Sequence, residues 1–355
     1  MIYKNDAMLH CPPLGLFTLI AVIFAVTTGC AVQPHSTAQQ PKPPFTLSVI
    51  AGSREVVLQQ TLPWEEQMMG YFKVLEPRPG YWQMWYSGWD NHRKDDYSGY
   101  LLYAASKDGR TWQKQLPGNV KNILMGTGHP KRDGGVEQDV FIVRGTPYPY
   151  KMIYTARDSG DGNKEKTFIT ESADGIQWRP SKVLWNRKHD SQFSVIQKGN
   201  RFYIYLRYWT LVNKVRYRTI GRAITDQYWN TIEEPVTVFA ADPGSDFPHL
   251  YNPAASKITS ELDLLFPTYF NEATNRIRIG VLYMFRDQAF YTDMDLTEAL
   301  LEKSKNNWAI VSPGLIPAGK NTYWLYYYAT NMVHSEYEKA GRQFSYYRIK
   351  IKIVP

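Results

Sequence analysis

The chain has 355 residues, 43% of them hydrophobic and 15% aromatic, with 26 tyrosines and 11 tryptophans, which is ample material for one large core or two smaller ones. Charged residues make up 21% and the glycines and prolines are spread along the chain, the balance of a globular protein. A net charge of +8 favours acidic partners, but no basic cluster is longer than Asn91-His92-Arg93-Lys94, which argues against a nucleic-acid module.

At the N-terminus Lys4 precedes an apolar run at 14–26, and Thr27-Thr28-Gly29-Cys30 follows. A basic start, a short apolar run and small residues make an export signal, too short to span a bilayer comfortably. The order is similar to a bacterial lipoprotein signal with Cys30 as the lipidated residue, although Thr27 stands where Leu or Val is usual. That resemblance implies an exported protein held to the periplasmic or cell-surface face of a bacterial membrane by a lipid anchor alone; a free thiol at Cys30 is the alternative. Residues 1–30 are then the signal, the polar, proline-bearing 31–45 a tether, and 46–355 the folded domain. Cys11 lies within the signal, so the folded part has no cysteine and is held together by burial, without disulfides or a cysteine metal site.

Beyond the tether the pattern is β throughout. An aromatic strand is expected at 81–87 and another at 100–106, closed by Ser106-Lys107-Asp108-Gly109-Arg110-Thr111-Trp112. Strands at 150–155 and 167–172 close in the same way with Ser172-Ala173-Asp174-Gly175-Ile176-Gln177-Trp178, which repeats Ser, Asp, Gly and Trp at a spacing of 66 residues. Asp-Gly is a hairpin-turn signal, and the following Trp can fold back onto the sheet. A weaker third copy, from Gly221 through Asp226 to Trp229, follows an aromatic strand at 201–207. Strand pairs at 262–269 with 276–284 and at 323–328 with 344–352 complete the series, separated by one short helix at 295–303. Five such units closed radially make an all-β, five-bladed β-propeller, with blades near 46–116, 117–185, 186–240, 241–292 and 307–355. A pair of β-sandwiches would also give many short strands, but the repeat spacing argues against it.

In a propeller the entrances of the innermost strands converge on one funnel. Those entrances read Trp64-Glu65-Glu66-Gln67, Glu137-Gln138-Asp139, His189-Asp190-Ser191-Gln192 and His249-Leu250-Tyr251-Asn252. Acids recur at the first three and histidine at two. Gln138-Asp139-Val140-Phe141-Ile142-Val143 resembles the Arg-Asp-Pro-Phe-Val-Phe element of the five-bladed propeller glycosidases, the arabinanase, xylosidase and invertase group of glycoside hydrolase families 43 and 32. The resemblance covers the architecture from Ala51 to about Gln288, and in sequence only the Asp139 element.

The resemblance implies one acid from each of the first three blades: a base or nucleophile, an Asp that sets the pKa or stabilises the transition state, and a general acid. Asp139 matches the second by local pattern; Glu66, with Glu65 beside it, and Asp190 take the outer two by position. Glycoside hydrolysis needs such a set, because one carboxyl protonates the leaving oxygen while another activates water or attacks. Around them, Trp89-Asp90, Arg157, Arg207 and Arg286 are read as following second strands and rising around the funnel, as aromatic faces for sugar rings and forks for carboxylate or sulfate. Glu137, His189, Gln192, His249 and Asn252 join them as substrate contacts. The expected partner is a carbohydrate, neutral or polyanionic. No cofactor is required by this chemistry, and a structural cation in the channel is compatible with the sequence without being legible in it.

Two rival readings follow from the same residues. The Ser-x-Asp-Gly-x-x-Trp turns are one residue short of sialidase Asp-boxes, and a sialidase would also require a sixth blade and an arginine triad, for which Arg157, Arg207 and Arg286 are candidates. A glycan-binding surface lipoprotein would use the same acids only to hydrogen-bond sugar hydroxyls. The chain has no HExxH, P-loop or GxSxG pattern, so metalloprotease, NTPase and α/β-hydrolase readings lack support.

Overall fold

The structure is a computed structural model that describes residues 41–90, 99–118, 121–125, 136–158, 161–162, 164–187, 189, 192–230, 232–301, 307–336 and 341–355. The expected signal with Cys30, and Asp190, lie outside the described residues, as does the side chain of Glu137.

Tight turns in the chain generate five antiparallel sheets. The first contains Met68–Arg78, Tyr81–Trp89 and Tyr100–Ser106, edged by Trp112–Gln113 and Ile123–Met125. In the second, Val136–Ile142, Tyr150–Asp158, Lys164–Ser172 and Lys182–Trp185 follow in order, and in the third Ser194–Lys198, Arg201–Val212, Val215–Asp226 and Val236–Phe239 do the same. The fourth has an interrupted inner strand, His249–Leu250 and Ala255–Lys257, then Leu262–Leu265 with Thr268–Asn271, Arg276–Phe285 and Gln288–Asp295. Trp308–Val311, Ile316–Gly319, Thr322–Thr330 and Phe344–Val354 form the fifth. The fold is a five-bladed β-propeller, as the repeats imply. The helix expected at 295–303 is confined, among the described residues, to Thr297–Leu300.

The blade limits differ from expectation at the N-terminus. Thr46–Val49 and Glu55–Gln59 do not belong to the first blade but pair with Phe344–Val354, Thr46 opposite Val354 and Glu55 opposite Arg348. A ring left open would present an unpaired strand edge, and the first strands of the chain cover the last one. Ile123–Met125 in turn pairs with Leu101 and Leu102, so it belongs to blade one rather than blade two.

Because each blade packs between two others, its middle strands are buried on both faces and lose strict alternation. From Trp82 to Trp89 every residue is buried, and Trp85, Tyr86, Tyr103, Tyr154 and Tyr205 are among the largest fully buried side chains. This is where the chain's high aromatic content goes, filling the wedges between blades.

The repeated turns are the joints of the ring. Ser106 Oγ accepts the Gly109 N–H at 2.9 Å and Asp108 Oδ1 accepts those of Arg110 and Thr111 at 2.8 Å. Ser172 and Asp174 do the same for Gly175, Ile176 and Gln177 at 2.9, 2.8 and 2.8 Å. Each turn then offers a carbonyl to the preceding blade: Tyr326 donates to Gly109 O at 2.9 Å, Trp85 to Gly175 O at 2.7 Å and Lys182 to Trp229 O at 3.2 Å. Gly175 is required twice over, since its φ is +78° and a Cβ would lie 2.6 Å from the Trp85 ring.

Candidate functional site

The innermost strands begin at one face of the propeller, and just inside that face their side chains cross-link the blades. Asp139 is fully buried; Oδ2 accepts the Val195 N–H of blade three at 2.7 Å, and Oδ1 lies 2.9 Å from Lys73 Nζ of blade one. Burial pushes the Asp139 carboxyl above the ordinary range and Lys73 pulls it back. Gln138 donates to the Tyr71 carbonyl at 2.8 Å and accepts from Ser87 at 3.0 Å. The next carbonyl, Phe72 O, receives Gln192 Nε2 at 3.2 Å and Ser312 Oγ at 2.8 Å. Blades one, two, three and five are thus tied at two successive peptide units of one strand. Between them Tyr71 adopts φ +31° at a break in register, a conformation that bulky residues occupy only when their surroundings hold them there.

Above this layer, blades three to five supply a wall of arginines and rings. Arg207 lies over the Tyr251 ring at 4.3 Å and Arg218 approaches the same ring at 5.6 Å. Arg218 and Arg216 also lie over Trp209, at 4.8 and 4.6 Å, and Arg218 pairs with Glu272. Tyr251 meets Trp308 edge-on at 5.1 Å, and Arg342 sits 4.7 Å from the Phe344 ring. Burial pushes the Tyr328 hydroxyl up, against the pull of Arg342 and Arg207 in the same region. His249 accepts the Arg218 backbone N–H on Nδ1 at 3.2 Å, and burial lowers its pKa, so it is held neutral.

Several residues expected at the funnel have other places. Glu65 is fully buried; it accepts the Tyr86 hydroxyl at 2.6 Å, the N–H groups of Thr61 and Leu62 at 2.9 and 3.1 Å, and Lys114 Nζ at 2.6 Å. Its carboxylate is consumed in closing the turn before the first strand. Glu66, the next residue, is exposed. Trp89 is a buried core ring rather than an open platform, while half-buried Asp90 accepts the Tyr100 hydroxyl at 2.8 Å. Asn252 joins blades four and five, donating to Val311 O at 3.2 Å and accepting the Thr268 N–H at 3.0 Å.

Arg286 is on the opposite face. It sits in the hairpin between Arg276–Phe285 and Gln288–Asp295, bound to Glu261 at 3.1 Å, because Arg276–Phe285 is the third strand of its blade and not the second. The triad Arg157, Arg207 and Arg286 is therefore not assembled, and the ring has five blades and not six. Arg157 is half-buried at the funnel end of Tyr150–Asp158. His189 is 4% exposed, edge-on to Trp185 at 4.6 Å, and burial with nearby Arg187 lowers its pKa to about 4.

Lys73, Arg218, Tyr251 and Arg342 were not foreseen. Lys73 carried a signal, as the single charge within Met68-Met69-Gly70-Tyr71-Phe72-Lys73-Val74. Among the described residues, no group of three or more His, Cys, Asp or Glu is placed to hold a metal ion.

The fold and this layered channel define a five-bladed propeller structurally similar to glycoside hydrolases of families 43, 62 and 117, at low sequence identity. No protein-family profile and no curated protein matches the chain. Among solved structures, a protein solved as an RGII complex superposes with a TM-score of 0.59 at 11% identity, over 83% of this chain and 90% of that one. An α-L-arabinofuranosidase from Podospora anserina in complex with cellotriose gives 0.52 at 11% identity, over 83% and 94%. An N-acetylgalactosamine deacetylase from F. plautii in complex with blood group B trisaccharide gives 0.55 at 12% identity, over 86% and 95%. At such identities the likeness is one of fold.

Proposed function

We propose that the funnel face binds an acidic glycan and that the protein hydrolyses a glycosidic bond there. The observation that carries this reading is the gathering of Arg207, Arg216 and Arg218 around two neighbouring rings, Tyr251 and the half-buried Trp209. Rings and guanidinium forks together suit a sugar that bears carboxylate or sulfate. The net charge of +8 and the carbohydrate ligands of several structural neighbours agree with it.

In this proposal Glu66 and Asp190 are the two carboxylates that flank the bond, one as base or nucleophile and the other as proton donor. Asp139 acts through others, fixing the first three innermost strands in register beneath the sugar. The same proposal keeps the protein exported on a lipid at Cys30. A second reading, glycan binding without turnover, is favoured by one fact: Glu65 and Asp139 are both fully buried and already engaged.

A panel of neutral, uronate-bearing and sulfated polysaccharides tests the proposal, with new reducing ends and the first-formed anomer followed by proton NMR and acetate release followed in parallel. Reducing ends that appear with an acidic substrate and vanish in Glu66→Gln or Asp190→Asn support it. Binding without cleavage selects the second reading, and acetate in place of reducing ends would replace hydrolysis of a glycosidic bond by deacetylation.

A further inference from the structure

On the face away from the funnel, a cavity of about 500 Å³ opens between blades two and three. Strand Tyr150–Asp158 separates the two regions: Lys151 lines the cavity and Asp158, seven residues on, reaches the funnel end, about 23 Å away at the rise of a β-strand.

The cavity is built by two of the repeated turns. The Ser172 turn sends the chain back so that the Arg179 N–H meets Glu171 O at 2.9 Å and its guanidinium meets the Glu171 carboxylate at 3.0 Å. Lys151 pairs with that same carboxylate. The Asp226 turn supplies the other wall, with Tyr228 and Trp229. Lys182 reaches across from blade two to the Trp229 carbonyl at 3.2 Å.

Three features of this wall exceed what packing requires. Lys151, Arg179 and Lys182 line the cavity with a single carboxylate, Glu171, which Lys151 and Arg179 already share, so the cavity carries excess positive charge. Tyr228 leaves 66% of its surface exposed at the rim. Trp229 is held at φ +59°, a region a bulky residue occupies at a cost, and its indole N–H is buried with no acceptor among the described residues.

We propose that this cavity is a second glycan-binding site, distinct from the funnel, that takes one acidic sugar unit, a uronate or a sulfated residue. The anion would meet Arg179 and Lys182, in place of water, and the sugar ring would lie against Tyr228. The volume falls within the usual range for small-ligand pockets. Such a site would hold a polymeric substrate to the protein while the funnel acts on another part of it. That the anion is carried on a sugar rests on the function proposed above; the excess positive charge does not.

Calorimetric titration of the full-length protein tests this with trigalacturonate, a sulfated galactan tetrasaccharide, maltotriose and inorganic sulfate, each against wild type, Tyr228→Ala, Lys182→Gln and Arg207→Ala. The expected result is a binding component for at least one acidic oligosaccharide that survives Arg207→Ala and weakens tenfold or more in Tyr228→Ala and Lys182→Gln. Both side chains are exposed, so unchanged melting temperatures separate lost binding from lost folding. Loss of all binding in Arg207→Ala with none in Tyr228→Ala would overturn the second site, as would no binding of any acidic oligosaccharide. Equal affinity for inorganic sulfate would overturn the saccharide. A Tyr228-dependent component without any turnover would refute the glycosidase reading and leave this site standing.

Discussion

Asp139 offers the sharpest separation between a residue that meets substrate and one that organises the channel. Its side chain and that of Lys73 are 0% and 6% exposed, with 2.9 Å between Oδ1 and Nζ, while Oδ2 takes the Val195 N–H. Asp139→Asn preserves volume and an acceptor for Val195, but it strands the Lys73 ammonium in a dry channel. Breaking a buried pair from one side costs about 3–5 kcal/mol, since the remaining charge has lost its partner. Lys73→Met should cost a similar amount by stranding the carboxylate. The double variant Lys73→Met/Asp139→Asn leaves no orphan charge and keeps an acceptor for the Val195 N–H, so it should recover most of what either single variant loses. Urea unfolding of the four proteins at pH 7, with matched m-values, reads this cycle directly. If Asp139→Asn unfolds within about 0.5 kcal/mol of wild type while turnover disappears, the carboxylate faces the substrate and the structural assignment is wrong.

Three further outcomes can be measured independently. Gly175→Ala combines a φ of +78° with a Cβ 2.6 Å from Trp85, whereas Gly145→Ala at φ +81° meets nothing within 4 Å. The first should cost about 2–5 kcal/mol and the second about 1–2 kcal/mol in thermal or urea unfolding; equal costs would mean that blades one and two do not meet at that turn. The folded-state pKa of His189, about 4, lies below the ordinary 6.5, so the unfolded chain takes up this proton first as pH falls. Its contribution is therefore complete above about pH 6.5 and is lost on the way down to about pH 4, at most about 3 kcal/mol, and His189→Gln should flatten the stability profile in that window. Arg207→Ala should weaken binding of an acidic oligosaccharide tenfold or more and reduce its salt dependence, with little change for a neutral one; identical losses for both would show that Arg207 only supports Tyr251.

Much of the fold was legible because its instructions are local. A turn such as Ser172-Ala173-Asp174-Gly175 satisfies its own backbone with its own side chains, and an aromatic strand precedes each one, so the repeat survives in a linear reading. Strand entrances were legible in the same way, and Gln138, Asp139 and Gln192 do cross-link the channel. Their partners were not, because Lys73, Val195 and Phe72 lie 66, 56 and 120 residues away in the chain.

Face assignment failed where counting strands failed. Arg157 and Arg286 look alike in sequence, each an Arg-Asp pair ending a strand, yet the interrupted strands of blade four make the strand before Arg286 the third and carry it to the other end of the ring. Glu65 and Glu66 are equally adjacent, but the short turn at Pro63–Glu65 buries the first against Tyr86 and Lys114 and exposes the second. Composition, turn chemistry and strand period act over a few residues, and they were enough to specify a five-bladed ring. Which face a loop occupies, which carboxylate is dry and which strand closes the circle depend on contacts between blades, and those exist only once the ring has formed.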